Sequence, residues 1–425
     1  MSARRVSRRE FLAGLGAAGA LAAGGYGVHI WTRDGSHPAA RSPQRAASDH
    51  SNGNQPRTLV LLELAGGNDA LNMVVPHADP QYRVLRPTLA VADPIDLDGH
   101  IGLSPKLTTL ADQYRAGRLA IVEGVGVPDP DLSHFASLQR WWTADPDLHA
   151  KTGWLGRYLD RAVGYDDPLA GVAIGPGPSP LLAGASSFAT SITDAQGLQP
   201  ARLDTDVRET LLQAWASLVP SQPAPSLLGQ VQRAIHETLD ARTRLADDLG
   251  AQTSSASPNA SPGDEGTLAG ALVLAAQLAA SKDHPRVIHV HVEGDFDTHE
   301  GEAQRHPALM ADLDAGVKAF LSALDAHQAS DHVVLATMSE FGRRAAENGL
   351  GTDHGAAAAH LVLGAPVKGG RHGEPPSLTK LDSAGNLVST VDYRAYDAAL
   401  LEWLDPSADL DAVLGTGPGS LHLLA

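Results

Sequence analysis

Short runs of consecutive apolar residues alternate along this chain with segments whose apolar residues recur every three or four positions. The first pattern predicts strands buried on both faces, and the second predicts helices with one apolar stripe. Strands are predicted at 57–65, 119–123, 287–292, 333–337 and 360–364, and helices at 268–278 and 309–324. Strands that alternate with helices predict an α/β fold with a mainly parallel sheet covered on both faces.

Residues able to bind a metal ion follow these strands. In parallel sheets the functional crevice lies beyond the carboxyl ends of the strands. Carboxylates and imidazoles follow three predicted strands and recur once further on, at Asp69, Asp297, His299, Glu340, Asp353 and His354. Zn²⁺ takes such nitrogen and oxygen ligands, and a harder cation favours the oxygens. Together the four clusters favour a metal site.

Each cluster also has an ordinary structural explanation when it is taken alone. The turn that contains Asp297 and His299 could simply place an acid at the start of the next helix. Asp69 follows Gly66 and Gly67, and an acid after paired glycines is common in turns. The metal interpretation therefore depends on the clusters meeting in the fold.

Two further residues are candidates for the chemistry itself. Ser133 precedes an apolar, aromatic stretch that ends near Trp142, so it is placed to cap a helix. The same hydroxyl at a helix N-terminus could act as a metal-activated nucleophile toward phosphate. Arg343 could clamp an anionic substrate group, or it could form a surface ion pair with Glu347.

Composition narrows the possible chemistry. The 425 residues include no Cys, which excludes disulfides, thiolate metal sites and Cys nucleophiles. The chain carries 49 acidic and 32 basic residues, a net charge of −17, which argues against a nucleic-acid partner. A bound metal would have to use the 19 His and the carboxylates.

The first 47 residues differ from the rest. They carry seven Arg against two acids, which leaves a net charge of −22 for the remainder. Residues 7–12, Ser-Arg-Arg-Glu-Phe-Leu, resemble the twin-arginine export motif, and a weakly hydrophobic, glycine-rich run follows at 11–30. We predict export by the twin-arginine machinery to the periplasm or the cell exterior, with no stable membrane span in the mature form.

The remaining chain, 48–425, is predicted to be one α/β domain that begins with a polar linker at 48–57. Residues 250–266 are rich in Ser, Ala, Pro and Gly and predict a mobile low-complexity loop. The stretch 165–235 lacks a clear pattern and is expected to form a small cap or insertion beside the sheet.

Several of these motifs together resemble a family of exported bacterial proteins called domain of unknown function 1501, over residues 57–405. The motifs are Glu63-Leu-Ala-Gly-Gly-Asn-Asp69-Ala-Leu-Asn72-Met-Val-Val-Pro76, Leu132-Ser-His-Phe135, Gly153-Trp-Leu-Gly-Arg-Tyr158, Phe296-Asp-Thr-His299, Ser339-Glu-Phe-Gly-Arg343 and Gly351-Thr-Asp-His-Gly355. That family is similar to the alkaline phosphatase and sulfatase superfamily. The resemblance implies a three-layer α/β/α sandwich with a bimetal site at the strand ends.

The resemblance also assigns roles to individual residues. It implies Ser133 as the nucleophile and the six carboxylates and imidazoles above as metal ligands. Two departures from the superfamily pattern bear on the stoichiometry: Asp297 and His299 are two residues apart rather than four, and no His adjoins Glu340. We therefore expect one or two divalent ions, of Zn, Ca, Mg or Mn.

These expectations lead to two possible functions. The first is an exported metal-dependent hydrolase of phosphate or related esters, with a small-molecule or polymer substrate. The second is a non-catalytic protein of the cell envelope that keeps the fold for binding. A formylglycine sulfatase is disfavoured, because the chain has no Cys/Ser-x-Pro-x-Arg motif. Gly-x-Ser-x-Gly, His-Glu-x-x-His and Walker-loop motifs are also absent from the sequence.

Overall fold

A computed structural model describes most of the chain. The described residues are 56–163, 167–187, 189–192, 239–245, 267–292, 294–417 and 419–424, with scattered positions between 210 and 236. The predicted export segment at 1–47 and the predicted loop at 250–266 lie outside the described residues, and so does most of the linker at 48–57.

The strands and helices are numbered separately, each in chain order. The strands are β1 (Thr58–Glu63), β2 (Val74–Val75), β3 (Ile95–Asp96), β4 (Gly102–Leu103), β5 (Leu119–Gly126), β6 (Gly171–Ile174), β7 (Thr190–Ile192), β8 (Val287–Val290), β9 (Val333–Met338), β10 (Gly342–Arg343), β11 (His354–Gly355), β12 (Ala357–Leu363), β13 (Gly370–Gly373) and β14 (Val391–Asp392). The helices are α1 (Ala70–Met73), α2 (Pro80–Leu85), α3 (Thr108–Arg115), α4 (His134–Thr143), α5 (Trp154–Ala162), α6 (Leu268–Ala279), α7 (Glu302–Ala326), α8 (Tyr393–Leu404) and α9 (Leu410–Leu414).

One large sheet organises the described part of the chain. Its strand order is β13-β5-β12-β9-β1-β8-β6-β7, and β14 also pairs with β5. Each strand pair is parallel except those made by β12, which runs antiparallel to both β5 and β9. Two small sheets, β2-β4-β3 and β10-β11, lie outside it. The predicted mainly parallel sheet is confirmed.

Helices cover both faces of this sheet. Along β1, Val60 and Leu62 belong to one hydrophobic cluster with residues of α3, α6 and α7. Leu59 and Leu61 belong to another, with residues of α4, α5 and α8. Side chains alternate between the two faces of a strand, so a strand covered on both sides must be apolar throughout. The three-layer α/β/α sandwich is therefore confirmed.

The five predicted strands match β1, β5, β8, β9 and β12, and the two predicted helices match α6 and α7. One region differs from expectation. Residues 171–174 and 190–192, expected within a cap beside the sheet, instead form β6 and β7 and extend the sheet at its edge. None of the helices in the described ranges has the length and apolar character needed to cross a membrane.

A pair of glycines ends β1 and brings its loop close to the loop after β8. Gly66 and Gly67 have φ angles of +114° and +80°, a region that side-chain-bearing residues rarely occupy. A Cβ on Gly66 would lie 2.4 Å from the backbone nitrogen of Asp297. Glycine is therefore required for this close approach, which places the two loops at the same edge of the sheet.

Candidate metal centre

Three side chains from distant parts of the sequence converge at the carboxyl ends of the strands. They are His134 at the start of α4, Asp297 after β8 and His354 on β11, and one ligand atom of each lies within 4.8 Å of the others. The Nε2 atom of His134 is 3.5 Å from Oδ2 of Asp297, and Nε2 of His354 is 3.3 Å from Oδ1. The Asp297 carboxylate therefore lies between two imidazoles.

His299 adds a third imidazole to the same carboxylate. Its Nε2 atom is 3.2 Å from Oδ1 of Asp297 and 2.9 Å from Nε2 of His354. The Nδ1 atom of His299 faces Asp353 at 3.3 Å. A carboxylate on the far nitrogen fixes the ring orientation of a metal-bound His, and Asp353 is placed for this task.

Glu340 has the corresponding position beside His134. Its side chain is 1% exposed, and its Oε1 atom is 2.9 Å from Nδ1 of His134. The same oxygen accepts a hydrogen bond from the backbone N–H of Gly66 at 2.8 Å. Glu340 thus orients the His134 ring so that Nε2 faces Asp297.

The pKa shifts in the cluster follow from these contacts. The hydrogen bond to Glu340 raises the pKa of His134, against the effect of burial. Burial lowers the pKa of His354. For Asp297, burial raises the pKa, but the hydrogen bond and charge of Arg343 outweigh it and lower the pKa below its usual value. An ionised carboxylate and a neutral imidazole are the forms that bind metal, so the shifts of Asp297 and His354 favour binding, whereas that of His134 requires the ion to displace a proton.

The residues present fit a divalent metal ion. Two imidazole nitrogens, on His299 and His354, face one another at 2.9 Å beside an ionised Asp297. His134, Asp297 and His354 form the set whose ligand atoms all lie within 4.8 Å of one another, and His299 adjoins two of its members, Asp297 and His354. Such nitrogen and oxygen donors suit Zn²⁺, and the outer nitrogens have carboxylate or carbonyl partners, including the backbone oxygen of Leu132 for His354.

Arg343 is buried and bound to the loops around Asp297. Its side chain has no exposed area, and Nη2 donates to Oδ1 of Asp297 at 2.6 Å. Its remaining donors bind backbone oxygens of the surrounding loops, those of Gly66, Gly67, Phe296 and Thr352. The contacts therefore make Arg343 a tie between loops that keeps Asp297 ionised, and they engage its Nε, Nη1 and Nη2 atoms within the fold.

Asp69 is not brought into the cluster. It is completely buried and forms a bidentate ion pair with Arg86, in which Nη2 donates to Oδ1 at 2.9 Å. Burial raises the pKa of Asp69, but the charge of Arg86 outweighs this effect and lowers it. Arg86 also donates to the backbone oxygens of Arg344 and Ala345. The guanidinium of Arg86 therefore lies where a metal ion would lie if Asp69 were a ligand.

Ser133 lies where the sequence predicts, at the N-cap position of α4 and directly before His134. Its side chain is exposed and makes no capping hydrogen bond among the described residues. Its backbone N–H donates to Oδ1 of Asp131 at 3.0 Å. The hydroxyl is therefore not engaged by the helix that it precedes.

The sequence analysis did not predict His134 as a ligand, although it identified the motif at 132–135 through Ser133. The sequence did contain a signal for this ligand. An imidazole is a common metal ligand, and this one adjoins a candidate nucleophile at the start of a helix. Arg86 and Glu302, which surround Asp69, were not predicted either. Nothing in the local pattern at these two positions indicates a partner: Arg86 is 17 residues from Asp69, and Glu302 reaches it from a distant segment of the chain.

Comparison with known proteins supplies the family. Residues 56–393 match the family model described as "Protein of unknown function (DUF1501)". This match spans most of the chain, which therefore belongs to the DUF1501 family, as its motifs indicate. No curated protein matches the sequence.

Solved structures with a similar arrangement are distant. Ps i-CgsB, in a complex with k-i-k-neocarrahexaose, has 12% identity and a TM-score of 0.40, with 86% of this chain and 75% of that chain covered. An alkaline phosphatase superfamily protein from Vibrio parahaemolyticus has 9% identity and a TM-score of 0.32, with 75% and 62% covered. Alkaline phosphatase from the Antarctic bacterium TAB5 has 11% identity and a TM-score of 0.33, with 73% and 92% covered.

Proposed function

We propose that this member of the DUF1501 family is an exported metal-dependent hydrolase of phosphate or related esters. The observation that supports the proposal most is the convergence of three imidazoles on the ionised Asp297 carboxylate at the carboxyl ends of the strands. Open α/β sheets place their ligand crevice at this edge. The three-layer fold itself is compatible with many activities, so the proposal depends on the cluster.

Four side chains are proposed to hold the metal, namely His134, Asp297, His299 and His354. Glu340 and Asp353 are proposed to orient His134 and His299 through the ring nitrogens that face away from the Asp297 carboxylate. One or two divalent ions are expected, and Zn²⁺ suits the nitrogen-rich donor set best. A bound ion would supply Lewis-acid stabilisation of negative charge and a lowered pKa for a hydroxyl or water beside it.

Ser133 is the proposed nucleophile. It directly precedes His134, and its hydroxyl makes no capping hydrogen bond to α4 among the described residues. The first backbone N–H groups of a helix favour an anion, so an ester phosphate beside Ser133 would lie in a favourable electrostatic position. In this proposal the N-terminus of α4 and the metal bind the anionic group, because Arg343 is bound to Asp297 and to backbone oxygens.

Three variants test this assignment with phosphate monoesters, phosphate diesters and sulfate esters as substrates. Ser133→Ala should abolish turnover of a responsive ester with little change in metal content or stability. Asp297→Asn should abolish turnover together with metal binding. His100→Ala, which removes an exposed imidazole away from the cluster, is the matched control and should retain activity. Full activity in Ser133→Ala would exclude Ser133 and favour a metal-activated water.

One observation favours the second function, a non-catalytic envelope protein that binds a partner or polysaccharide. The arginine that was expected to clamp an anionic substrate is held by Asp297 and four backbone oxygens. If the wild-type protein binds metal but hydrolyses none of the three ester classes, the binding function is the better interpretation.

Export by the twin-arginine route is proposed from Arg8 and Arg9, which lie outside the described residues. This pathway carries folded cargo, which suits a protein that acquires a metal before it crosses the membrane. Replacement of both arginines by lysine should leave the precursor in the cytoplasm, as measured by fractionation and immunoblotting. Efficient export of the double variant would point to a different pathway.

A further inference from the structure

Two of the most exposed large apolar side chains in the described part of the chain adjoin the proposed metal centre. Phe135 is 88% exposed and Leu350 is 64% exposed. Single exposed apolar residues are common on protein surfaces, so it is the position of these two that indicates a ligand. Transfer of apolar surface out of water is favourable, and an exposed aromatic ring keeps this free energy available for binding.

The imidazoles of the proposed centre are open to solvent between these two side chains. The ring centroids of His134 and His354 are 4.5 Å apart, and those of His354 and His299 are 4.6 Å apart. The side chains of His134, His354 and His299 are 33%, 21% and 40% exposed. A ligand that reaches the metal would therefore also reach the residues beside His134 and His299.

Phe135 lies on the His134 side of the centre. It is the second residue of α4 and follows His134 directly. Glu340 holds the His134 ring toward Asp297. The next residue of a helix points about 100° further around the axis, and at Phe135 this direction leads into solvent. The aromatic ring therefore lies at the rim of the centre, two residues beyond Ser133.

Leu350 lies on the His299 side, in a turn that Asn348 holds in place. The Oδ1 atom of Asn348 accepts from the backbone N–H of Leu350 at 2.9 Å, and its Nδ2 donates to Oδ1 of Asp353 at 3.0 Å. A Cβ on Gly351 would lie 2.6 Å from the backbone carbonyl carbon of His299, so the turn contacts the segment that carries this ligand. Leu350 is therefore fixed beside His299 with its side chain in solvent.

We propose that the substrates of this centre are esters whose alcohol carries an apolar group at least as large as a phenyl ring. This inference rests on the proposed hydrolase function. The anionic group would bind the metal and the N-terminus of α4, and the apolar group would cover Phe135, with Leu350 available to a longer chain. A sugar or glycerol phosphate would leave both side chains in water. A protein partner fits less well, because protein interfaces have a contiguous apolar core and the polar centre separates these two side chains.

Calorimetric titration of the purified protein with two phosphonates tests the proposal independently of turnover. Ethylphosphonate and 3-phenylpropylphosphonate share an anionic group that is not an ester, and they differ only in the apolar body. We expect the phenylpropyl compound to bind at least about tenfold more tightly. Phe135→Ala should remove most of this preference and leave the affinity for ethylphosphonate within about twofold of wild type.

Two more variants locate the apolar contact. Leu350→Ala should reduce the preference by a smaller factor than Phe135→Ala. Val84→Ala is the matched control, since Val84 is 68% exposed on α2, a helix that contributes no ligand to the proposed centre. This variant should keep the full preference. All three positions are exposed, so the variants should fold and retain their metal.

Turnover separates this inference from the proposed function. With ethyl phosphate and 3-phenylpropyl phosphate, whose leaving groups are both primary alcohols, Phe135→Ala should lower kcat/KM about tenfold for the second ester alone. Equal affinity for the two phosphonates, binding of neither, or an unchanged preference in Phe135→Ala would each overturn the inference. If the phenylpropyl compound is preferred but no ester is hydrolysed, the apolar subsite stands and only the hydrolase function fails.

Discussion

Asp69 and Asp297 both follow a parallel strand at the same edge of the sheet, yet their surroundings give them different roles. Asp69 is buried against Arg86, whereas Asp297 is about one-third exposed among three imidazoles. The local sequence shows an acid after a strand in both cases. The distinction arises from Arg86, which is 17 residues from Asp69, and from His134, which reaches Asp297 from a distant part of the chain.

A pair of isosteric variants separates these roles. Asp69→Asn leaves the buried charge of Arg86 without its partner, so the free energy of unfolding should fall by about 3–5 kcal/mol. The folded protein should nevertheless keep its metal content. Asp297→Asn should lose metal with a smaller change in the metal-free stability. Urea unfolding and elemental analysis measure the two effects, and loss of metal from folded Asp69→Asn would show that Asp69 is a ligand after all.

Glu302 is the second buried carboxyl beside Asp69. Thr352 donates to its Oε2 atom at 2.6 Å, and Arg86 is already paired with Asp69. Burial, followed by the negative charge of Asp69, raises the pKa of Glu302 to about 9. At neutral pH the cluster therefore holds one carboxylate, one guanidinium and one protonated carboxyl, so its charges balance.

This pKa predicts the pH dependence of stability. Unfolded Glu302 releases its proton near its ordinary pKa of 4.5, whereas the folded protein retains it up to about pH 9. The stabilisation is complete below pH 4.5 and is lost as the pH rises to about 9, with a slope of at most about 1.4 kcal/mol per pH unit. Glu302→Gln, which stays neutral, should remove this slope from urea-unfolding curves measured between pH 5 and about pH 9. A slope unchanged from wild type would show that Glu302 is ionised in the fold.

Among the elements, helix α4 decides the geometry of the proposed site. It carries His134 in its first turn and Trp142 in its last. The indole Nε1 of Trp142 donates to Oε2 of Glu63 at 2.9 Å, at the end of β1. Glu63 in turn faces Nε2 of His289 on β8 at 3.4 Å. The helix is thus fastened to the two strands whose loops contribute Asp69 and Asp297.

Trp142→Phe tests whether this attachment positions His134. The variant leaves Glu63 without one donor, so the free energy of unfolding should fall by about 1–3 kcal/mol. Metal affinity should also fall, because His134 is on the same helix. Phe135→Leu is the control, since Phe135 is 88% exposed on α4 and should change neither quantity. Metal affinity is measured by competition with a chelating dye. An affinity equal to wild type in Trp142→Phe would show that the hydrogen bond between Trp142 and Glu63 does not position His134.

The elements that could be predicted from the sequence are those that are buried on both sides. β1, β8 and β9 are continuous apolar runs because helices cover both faces of the sheet. The strands β6 and β7 were not predicted, because they are four and three residues long and lie among Gly, Pro and Ser. The direction of β12 could not be predicted either, since an apolar run has no direction in its pattern.

At the scale of the whole molecule, the sheet brings together residues that are far apart in the sequence. His134 and Asp297 are separated by more than 160 residues, yet their ligand atoms lie 3.5 Å apart. The rule that ligands bind at the carboxyl ends of parallel strands predicted the edge at which they meet. Which residues meet there could not be predicted, because the choice depends on loops such as the one that Gly66 allows to pass beside Asp297.

Metal binding at this edge should stabilise the entire domain, because the proposed ligands join α4, the loop after β8 and β11. An ion that binds only the folded state, at a free concentration 100 times its Kd, adds about 2.7 kcal/mol to the free energy of unfolding. Elemental analysis of the purified wild-type protein, with His134→Ala, His354→Ala and the control His100→Ala prepared in parallel, tests this site most directly. We predict about one or two equivalents of a divalent metal in wild type and in His100→Ala, and less than about half an equivalent in the other two variants. Wild-type protein with less than about half an equivalent, or variants that all retain the same content, would contradict a metal centre at this position.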